Sequence, residues 1–195
     1  MKLLLILGTF FYCTCLQAQS YNFKELNLRR IETNRTGMLV LGSWGGANIV
    51  SGVTGLAMSD RTVWKSFHGM NAAWGAVNGL IALGGYMGAR KELQKDFNYD
   101  EAYSRYKSNK RLYLVNAGLD VLYIGTGIAL SAYSTQFRNP DLWLGFGRSI
   151  AMQGLGLLAF DCAMYIAHQK HNKKWVQAVG GIGFTGNGLS YTYRF

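Results

Sequence analysis

Long apolar stretches separated by short basic connections dominate the pattern of this chain. After a first apolar run, four blocks with few or no charged residues follow at residues 36–58, 67–89, 112–133 and 142–167. At about 1.5 Å of rise per helical residue, each block is long enough to cross the roughly 30 Å hydrocarbon layer of a bilayer. The pattern therefore predicts an all-α membrane protein with four transmembrane helices in a domain at residues 36–175.

The first apolar run has the form of an export signal. Lys2 precedes an apolar stretch from Leu3 to Leu16, and the small residue Ala18 follows at a plausible cleavage site. The run is shorter than the ~20 residues that span a bilayer, which favours a cleaved signal peptide at residues 1–18 over an uncleaved anchor helix. A lipid anchor is disfavoured because Tyr12 and Thr14, rather than small residues, precede the two leader cysteines.

Two further segments flank the membrane blocks. Residues 19–35 mix apolar and basic side chains and are expected to form an amphipathic helix at the membrane interface. The tail at residues 176–195 ends in alternating aromatic and polar residues after the turn-forming stretch Thr185-Gly186-Asn187-Gly188, which predicts a short C-terminal β-hairpin. Open strand edges cannot face lipid, so we expect the hairpin to pack on the helices outside the hydrocarbon.

The membrane domain contains an internal similarity. A shift of 72 residues places residues 54–59 on residues 126–131, both of the pattern Thr-Gly-apolar-Ala-apolar-Ser, and a shift of 75 places residues 76–80 on residues 151–155. The alternative is chance, because helices rich in Gly, Ala and Leu resemble each other easily. We interpret the similarity as a tandem two-helix repeat at about residues 36–90 and 108–168, with its halves in the same orientation.

Polar residues at membrane depth are the candidate functional residues. The repeat aligns Asn48 with Asp120 on the first helices of its two halves, and Asn78 with Gln153 on the second helices. All four residues lie near mid-helix. An ionised carboxylate at that depth costs about 3 kcal/mol, so a buried acid needs a proton, a cation or amide donors; for the two acids we consider Arg148 and His68 as cations. The candidate intramembrane polar site comprises Asn48, Asn78, Asp120, Gln153 and Asp161.

No catalytic or cofactor motif accompanies these residues. The sequence has no nucleophile elbow, phosphate-binding loop, paired-cysteine metal site or zinc-protease helix motif. His168 and His171 stand among several lysines, which indicates a basic membrane flank rather than a metal site. We therefore expect no cofactor, no metal site and no enzymatic activity.

The net charge of +10 raises the question of a nucleic-acid partner. The basic residues lie beside membrane-length blocks, where they anchor helices or contact anionic lipid head groups, and so we expect membrane lipids and no nucleic acid as partners. Fifteen Lys and Arg flank one side of the predicted spans against three on the other, which favours both termini inside an inner membrane. A cleaved signal instead places the N-terminus outside. Either the leader is not processed as it looks, or the charge rule is overridden, or the protein lies in an outer membrane, where the rule does not apply; we favour the inner membrane over the outer.

The leader at residues 1–20, the glycine-rich body and the aromatic end at residues 190–195 together resemble a family of small exported polytopic membrane proteins of Gram-negative bacteria of unknown function. That resemblance implies no catalytic or binding residues. Our leading functional hypothesis is a non-enzymatic membrane protein that acts through helix packing, self-association or a partner. The alternative is a small conduit for ions or solutes that uses Asp120 and the Asn/Gln residues around it, and a membrane enzyme ranks third.

Overall fold

The computed structural model describes residues 22–177, 181–185 and 188–192. Four long helices make up most of it: α1 at Phe23–Met58, α2 at Thr62–Glu92, α3 at Tyr99–Ala132 and α4 at Pro140–Gln169. A short 3-10 helix, Ser134–Gln136, and a short helix α5, Asn172–Gln177, flank α4. The predicted signal peptide lies outside the described residues.

Two strands follow the helices. β1 at Gly181–Thr185 and β2 at Gly188–Thr192 pair antiparallel, with Gly181 opposite Thr192 and Thr185 opposite Gly188. Together the two strands contain ten residues, and within the described residues they pair only with each other. The described chain is therefore essentially helical, and the expected packing of the tail on the helices stays a prediction.

Local sequence determines where the helices begin. The Asn22 side chain accepts a hydrogen bond from the Lys24 backbone N–H, and Asn98 does the same for Glu101, so each satisfies a donor that the first helical turn leaves free. Pro140 occupies the first turn of α4, where a missing N–H costs nothing. Because no proline interrupts residues 23–58, the predicted interfacial segment continues into the first membrane block as one helix.

The four long helices form two antiparallel hairpins that meet along α2 and α4. Glycines permit the closest approaches: a Cβ on Gly45 would lie 2.8 Å from the Gly75 carbonyl oxygen, and one on Gly147 would lie 2.7 Å from the Ser131 backbone nitrogen. Asn71 of α2 contacts Ser149 and Gln153 of α4, which joins the hairpins. Both hairpins share this arrangement; their origin by duplication stays a prediction.

The predicted count of four transmembrane helices is wrong. In the described part of the chain, three helices are long and apolar enough to cross a membrane, namely α1, α3 and α4. The helix that falls short, α2, packs against both α1 and α4 and places Ser66, Asn71 and Asn78 in the interior. Because neighbouring helices cover α2 on two sides, it carries more polar residues than a helix surrounded by lipid.

Large apolar side chains point outward along the membrane-length helices. Val50 of α1 is 68% exposed and Leu122 of α3 is 64% exposed, whereas Asn48, Asn78 and Gln153 are buried. This arrangement is the reverse of a water-soluble protein, which rarely exposes a continuous apolar surface of this kind. By length and composition the three spans, together with this outward apolar surface, indicate a membrane protein.

The connection at residues 90–111, between the second and third apolar blocks, is mostly helical and contributes to a hydrophobic cluster with Leu26 and Trp175. It supplies the last turn of α2 and the first three turns of α3, and Tyr106 of α3 stacks on Trp175 of α5 at 5.1 Å between ring centroids. At the same end of the molecule, Arg30 of α1 forms a salt bridge with Glu92 of α2 at 2.8 Å, and only 1% of the Arg30 side chain is exposed. We call this end of the molecule, where α1 and α3 begin, the basal end.

Candidate functional site

The five candidate polar residues all lie in the interior of the helical bundle, with at most 4% of any of them exposed. They fall into two neighbouring groups. Gln153 and Asn48 belong to a hydrogen-bonded network, and Asp120 and Asp161 form a carboxyl pair beside a cavity that Asn78 also lines.

The network around Gln153 connects three helices. The Gln153 side-chain amide donates to Asn48 Oδ1 of α1 at 2.6 Å and to Asn71 Oδ1 of α2 at 3.0 Å. Its carbonyl oxygen accepts from Trp44 Nε1 at 3.1 Å, and Ser149 Oγ donates to Asn71 Oδ1 at 2.5 Å. The Asn48 amide donates back to the Trp44 backbone carbonyl at 2.8 Å. Every polar group of Gln153 is therefore used, as expected for a buried amide in a stable core.

The carboxyl groups of Asp120 on α3 and Asp161 on α4 contact each other directly. The Asn116 side chain, one turn before Asp120, also hydrogen-bonds Asp161. The antiparallel packing of α3 on α4 produces this contact, because Gly154, two turns before Asp161, lets α4 approach the Asp120 backbone closely. Two acids that share one buried position favour a state that holds a proton or a cation between them.

A cavity of about 190 Å³ opens beside this acid pair. Trp74 of α2 and Tyr123 of α3 stand on its wall edge to face, 5.2 Å apart between centroids. Its volume is large enough for several water molecules. The remaining walls are mostly apolar and come from all four long helices, with Met38, Leu41, Ile81, Leu112, Leu119, Leu157 and Phe160 among the lining residues.

Three buried side-chain atoms without a hydrogen-bond partner belong to residues that line this cavity, and three more lie elsewhere in the described residues. Within the described residues, Asp120 Oδ2, Asp161 Oδ1 and the Asn78 side-chain nitrogen have no hydrogen-bond partner. The neighbouring network has no such atom in the same part of the chain. A buried unpaired polar atom costs about 1–3 kcal/mol, and water molecules or a polar ligand in the adjoining cavity would pair these three atoms.

The cations considered for the acids do not reach them. The Arg148 guanidinium lies over the Trp64 ring, 5.9 Å from its centroid, near the opposite end of the helices. The His68 ring packs against Gly55 and stands 5.2 Å from the Phe67 ring centroid. Across the described residues no salt bridge involves Asp120 or Asp161.

Of the two histidines that the sequence assigns to a basic flank, His168 is buried and His171 lies among basic residues. His168 is buried at the basal end, with its Nε2 2.9 Å from Asn34 Oδ1 and its ring stacked on Tyr113 at 5.6 Å. His171 lies closer to the surface, where burial and the charges of Lys174, Arg29 and Lys170 lower its pKa below the usual histidine value. Within the described residues no three His, Cys, Asp or Glu side chains converge as metal ligands.

The predicted site omits three members of the network, namely Trp44, Asn71 and Ser149. Ser149 is fully buried and lies one turn before Gln153 on the same face of α4, so helical spacing from Gln153 was the available signal. A serine in a glycine-rich helix is common, and only its contact with Asn71 distinguishes it from its neighbours.

Comparison with known proteins places the chain in a family. A model of a family of unknown function (DUF6992) matches residues 40–162, a segment that contains every residue of the network and of the acid pair. No curated protein and no solved structure matches the chain. The expected membership in a family without an assigned function is confirmed. Because the match covers well over half of its length, the chain belongs to this family of unknown function, DUF6992.

Proposed function

We propose that the protein is a non-enzymatic membrane protein that binds a proton or a small monovalent cation at the Asp120–Asp161 pair and conducts it through the helical bundle. The observation that carries the proposal is the pair itself, two carboxyl groups in contact beside a cavity and among membrane-length helices. Acidic residues inside a membrane protein commonly mark proton relays and ion pathways.

The electrostatics of the pair support a positively charged ligand. Two carboxylates in contact inside a medium of low dielectric repel each other by several kcal/mol, so both cannot stay ionised without compensation. In the described residues no arginine, lysine or histidine supplies that compensation. A proton or a monovalent cation supplies it, and the Asn116 and Asn78 amides add polar atoms at the same position.

Assembly through helix packing is the second candidate function, and the Gln153 network favours it. That network joins α1, α2 and α4 with its polar groups paired, which is how polar residues stabilise a membrane bundle. Several glycines serve the same packing within one chain, since Gly45 faces Gly75 and Gly127 faces Gly147. Self-association or a protein partner would then use other surfaces of the molecule.

Flux measurements distinguish the two functions. The full chain, reconstituted in liposomes, is expected to carry protons or Na⁺ down an imposed gradient, read by an enclosed pH-sensitive or Na⁺-sensitive dye. Asp120→Asn and Asp161→Asn each remove one carboxylate at nearly constant volume, and we expect each to abolish most of the flux while the melting temperature in detergent stays close to that of the wild type.

Asp141→Asn is the matched control, because Asp141 is an exposed acid in the first turn of the same helix as Asp161. It should retain wild-type flux. Wild-type flux in Asp120→Asn and Asp161→Asn would show that the two acids serve only helix packing. If the wild-type protein itself carries neither protons nor Na⁺, conduction is refuted.

A further inference from the structure

A groove between α1 and α4 runs along the outside of the bundle from the basal end toward the membrane interior. It has a volume of about 510 Å³. Residues spaced by one helical turn line it on both helices, so it follows the helix axes for roughly 16 Å between Arg29 and Val40. This groove is separate from the cavity beside Asp120 and shares Phe160 with it.

The two ends of the groove differ in polarity. Its inner part is apolar, with Val40, Phe160, Ala163 and Met164 as lining residues. Its basal rim is polar, and Arg29, Thr33 and His171 line it there. A lipid has the same order of chemistry, with a polar head group at the interface and an acyl chain inside the hydrocarbon.

Positive charge converges on the basal rim. Lys174, Arg29 and Lys170 all lie close enough to His171 to act on its ring electrostatically. Arg29 has an acidic neighbour in Glu25, at 2.8 Å, but both side chains are more than half exposed, so the pair is weak. Glu32 is the acid among the lining residues of the groove. The three cations near the rim therefore outnumber the two acids, Glu25 and Glu32.

One polar atom at the rim lacks a partner. His171 Nδ1 is buried and has no hydrogen-bond partner among the residues that the structure describes. A phosphate oxygen next to it would accept a hydrogen bond from Nδ1–H, which the neutral ring carries in one of its two tautomers, and would meet the neighbouring cations at the same time.

We propose that this groove binds one anionic phospholipid, with its phosphate between Arg29 and His171 and one acyl chain along Val40, Ala163 and Met164. The occupant is a lipid rather than a free phosphate because the apolar part continues directly from the charged rim. It is anionic because the rim carries a surplus of positive charge, which attracts such lipids by roughly a factor of five per basic residue.

Lipid titration of the purified full chain tests the proposal. In detergent micelles, dioleoyl phosphatidylglycerol should raise the melting temperature, whereas dioleoyl phosphatidylcholine and inorganic phosphate should leave it almost unchanged. Native mass spectrometry should find one tightly held phosphatidylglycerol per chain. Arg29→Gln and His171→Gln should each weaken its apparent affinity about fivefold, and Ala163→Phe should weaken it by filling the acyl part with the charges intact.

Arg90→Gln is the matched control, since Arg90 is an exposed cation of the last turn of α2 that does not line the groove. It should bind phosphatidylglycerol as the wild type does. Equal binding of both lipids, wild-type affinity in all three groove variants, or an equal response to inorganic phosphate would each overturn the proposal. The melting temperatures in phosphatidylcholine show which variants remain folded, and those variants decide the outcome.

Discussion

Gln153 uses both ends of its amide in the interior of a helical bundle that faces lipid. It accepts from Trp44 and donates to Asn48 and Asn71, so three helices meet at one side chain. Asp120 and Asp161, close by, meet each other and leave polar atoms unpaired. The paired amide of Gln153 therefore suits a role in helix packing, whereas the unpaired atoms of Asp120 and Asp161 suit binding of a ligand.

Gln153→Leu removes this network at nearly constant size. It breaks three side-chain hydrogen bonds between helices, each worth about 0.6 kcal/mol in a membrane bundle, so we expect the free energy of unfolding to fall by about 2 kcal/mol. Chemical or SDS unfolding in mixed micelles measures this change. Gln94→Leu, at an exposed position after α2, is the control and should change stability by less than about 0.5 kcal/mol. Equal stability of the two variants would show that the network does not hold the helices together.

At the scale of helices, the sequence predicted the apolar blocks and the depth of the polar residues but not how the helices pair. Asn48, Asn78, Asp120, Gln153 and Asp161 could be selected because polar residues recur at mid-helix in otherwise apolar blocks. The contact of Asp120 with Asp161 could not, since it depends on the register of α3 against α4. The exclusion of α2 from the candidate spans rests on length and composition alone, so the sequence itself contains it: polar residues such as Ser66, Asn71 and Asn78 lower the mean hydropathy of this block.

The packing of α1 on α2 gives a prediction for single glycines. A Cβ added at Gly75 would lie 2.6 Å from the Gly45 carbonyl oxygen and 2.8 Å from the Ile49 backbone nitrogen, so the two helices must separate. Gly75→Ala should therefore lower the free energy of unfolding by about 1–3 kcal/mol. Gly79→Ala, one turn further on α2, meets open space and should be neutral or stabilising by up to about 1 kcal/mol, because alanine favours helix. Unfolding titrations of both variants in the same detergent measure the difference, and equal destabilisation would contradict the close approach.

The basal end of α1 and α2 is joined by the buried pair of Arg30 and Glu92. Glu92→Gln leaves the Arg30 charge buried without its partner, and loss of one member of such a pair costs about 3–5 kcal/mol. Glu25→Gln breaks the exposed pair with Arg29 and should cost less than about 1 kcal/mol. Thermal unfolding of the two variants against the wild type measures the contrast. Similar melting temperatures for both would mean that Arg30 finds other compensation.

Across the whole molecule, the basic residues concentrate at the basal end. The first turns of α1 and α3 lie there together with the last turns of α2 and α4, whereas the connection between α3 and α4 lies at the other end. Among the described residues, fourteen Lys and Arg in the basal segments against three in the opposite connections therefore become a difference between two sides of a membrane. The anionic-lipid groove opens at this same basal end, as expected if its rim lies at the level of the head groups.

Cysteine labelling shows on which side of the membrane the basal end lies. In a background without the native cysteines (Cys13→Ala, Cys15→Ala and Cys162→Ala), Ser108→Cys places a thiol at the exposed basal part of α3, and Thr135→Cys places one in the exposed connection between α3 and α4. Because α3 is a candidate span, a membrane-impermeant maleimide should reach the two thiols from opposite sides. If the charge bias sets the orientation in an inner membrane, spheroplasts of a Gram-negative host should label Thr135→Cys when intact and Ser108→Cys only after permeabilisation. The reverse pattern would mean that export of the N-terminus overrides the basic residues, and labelling of both thiols from one side would mean that α3 does not cross the membrane.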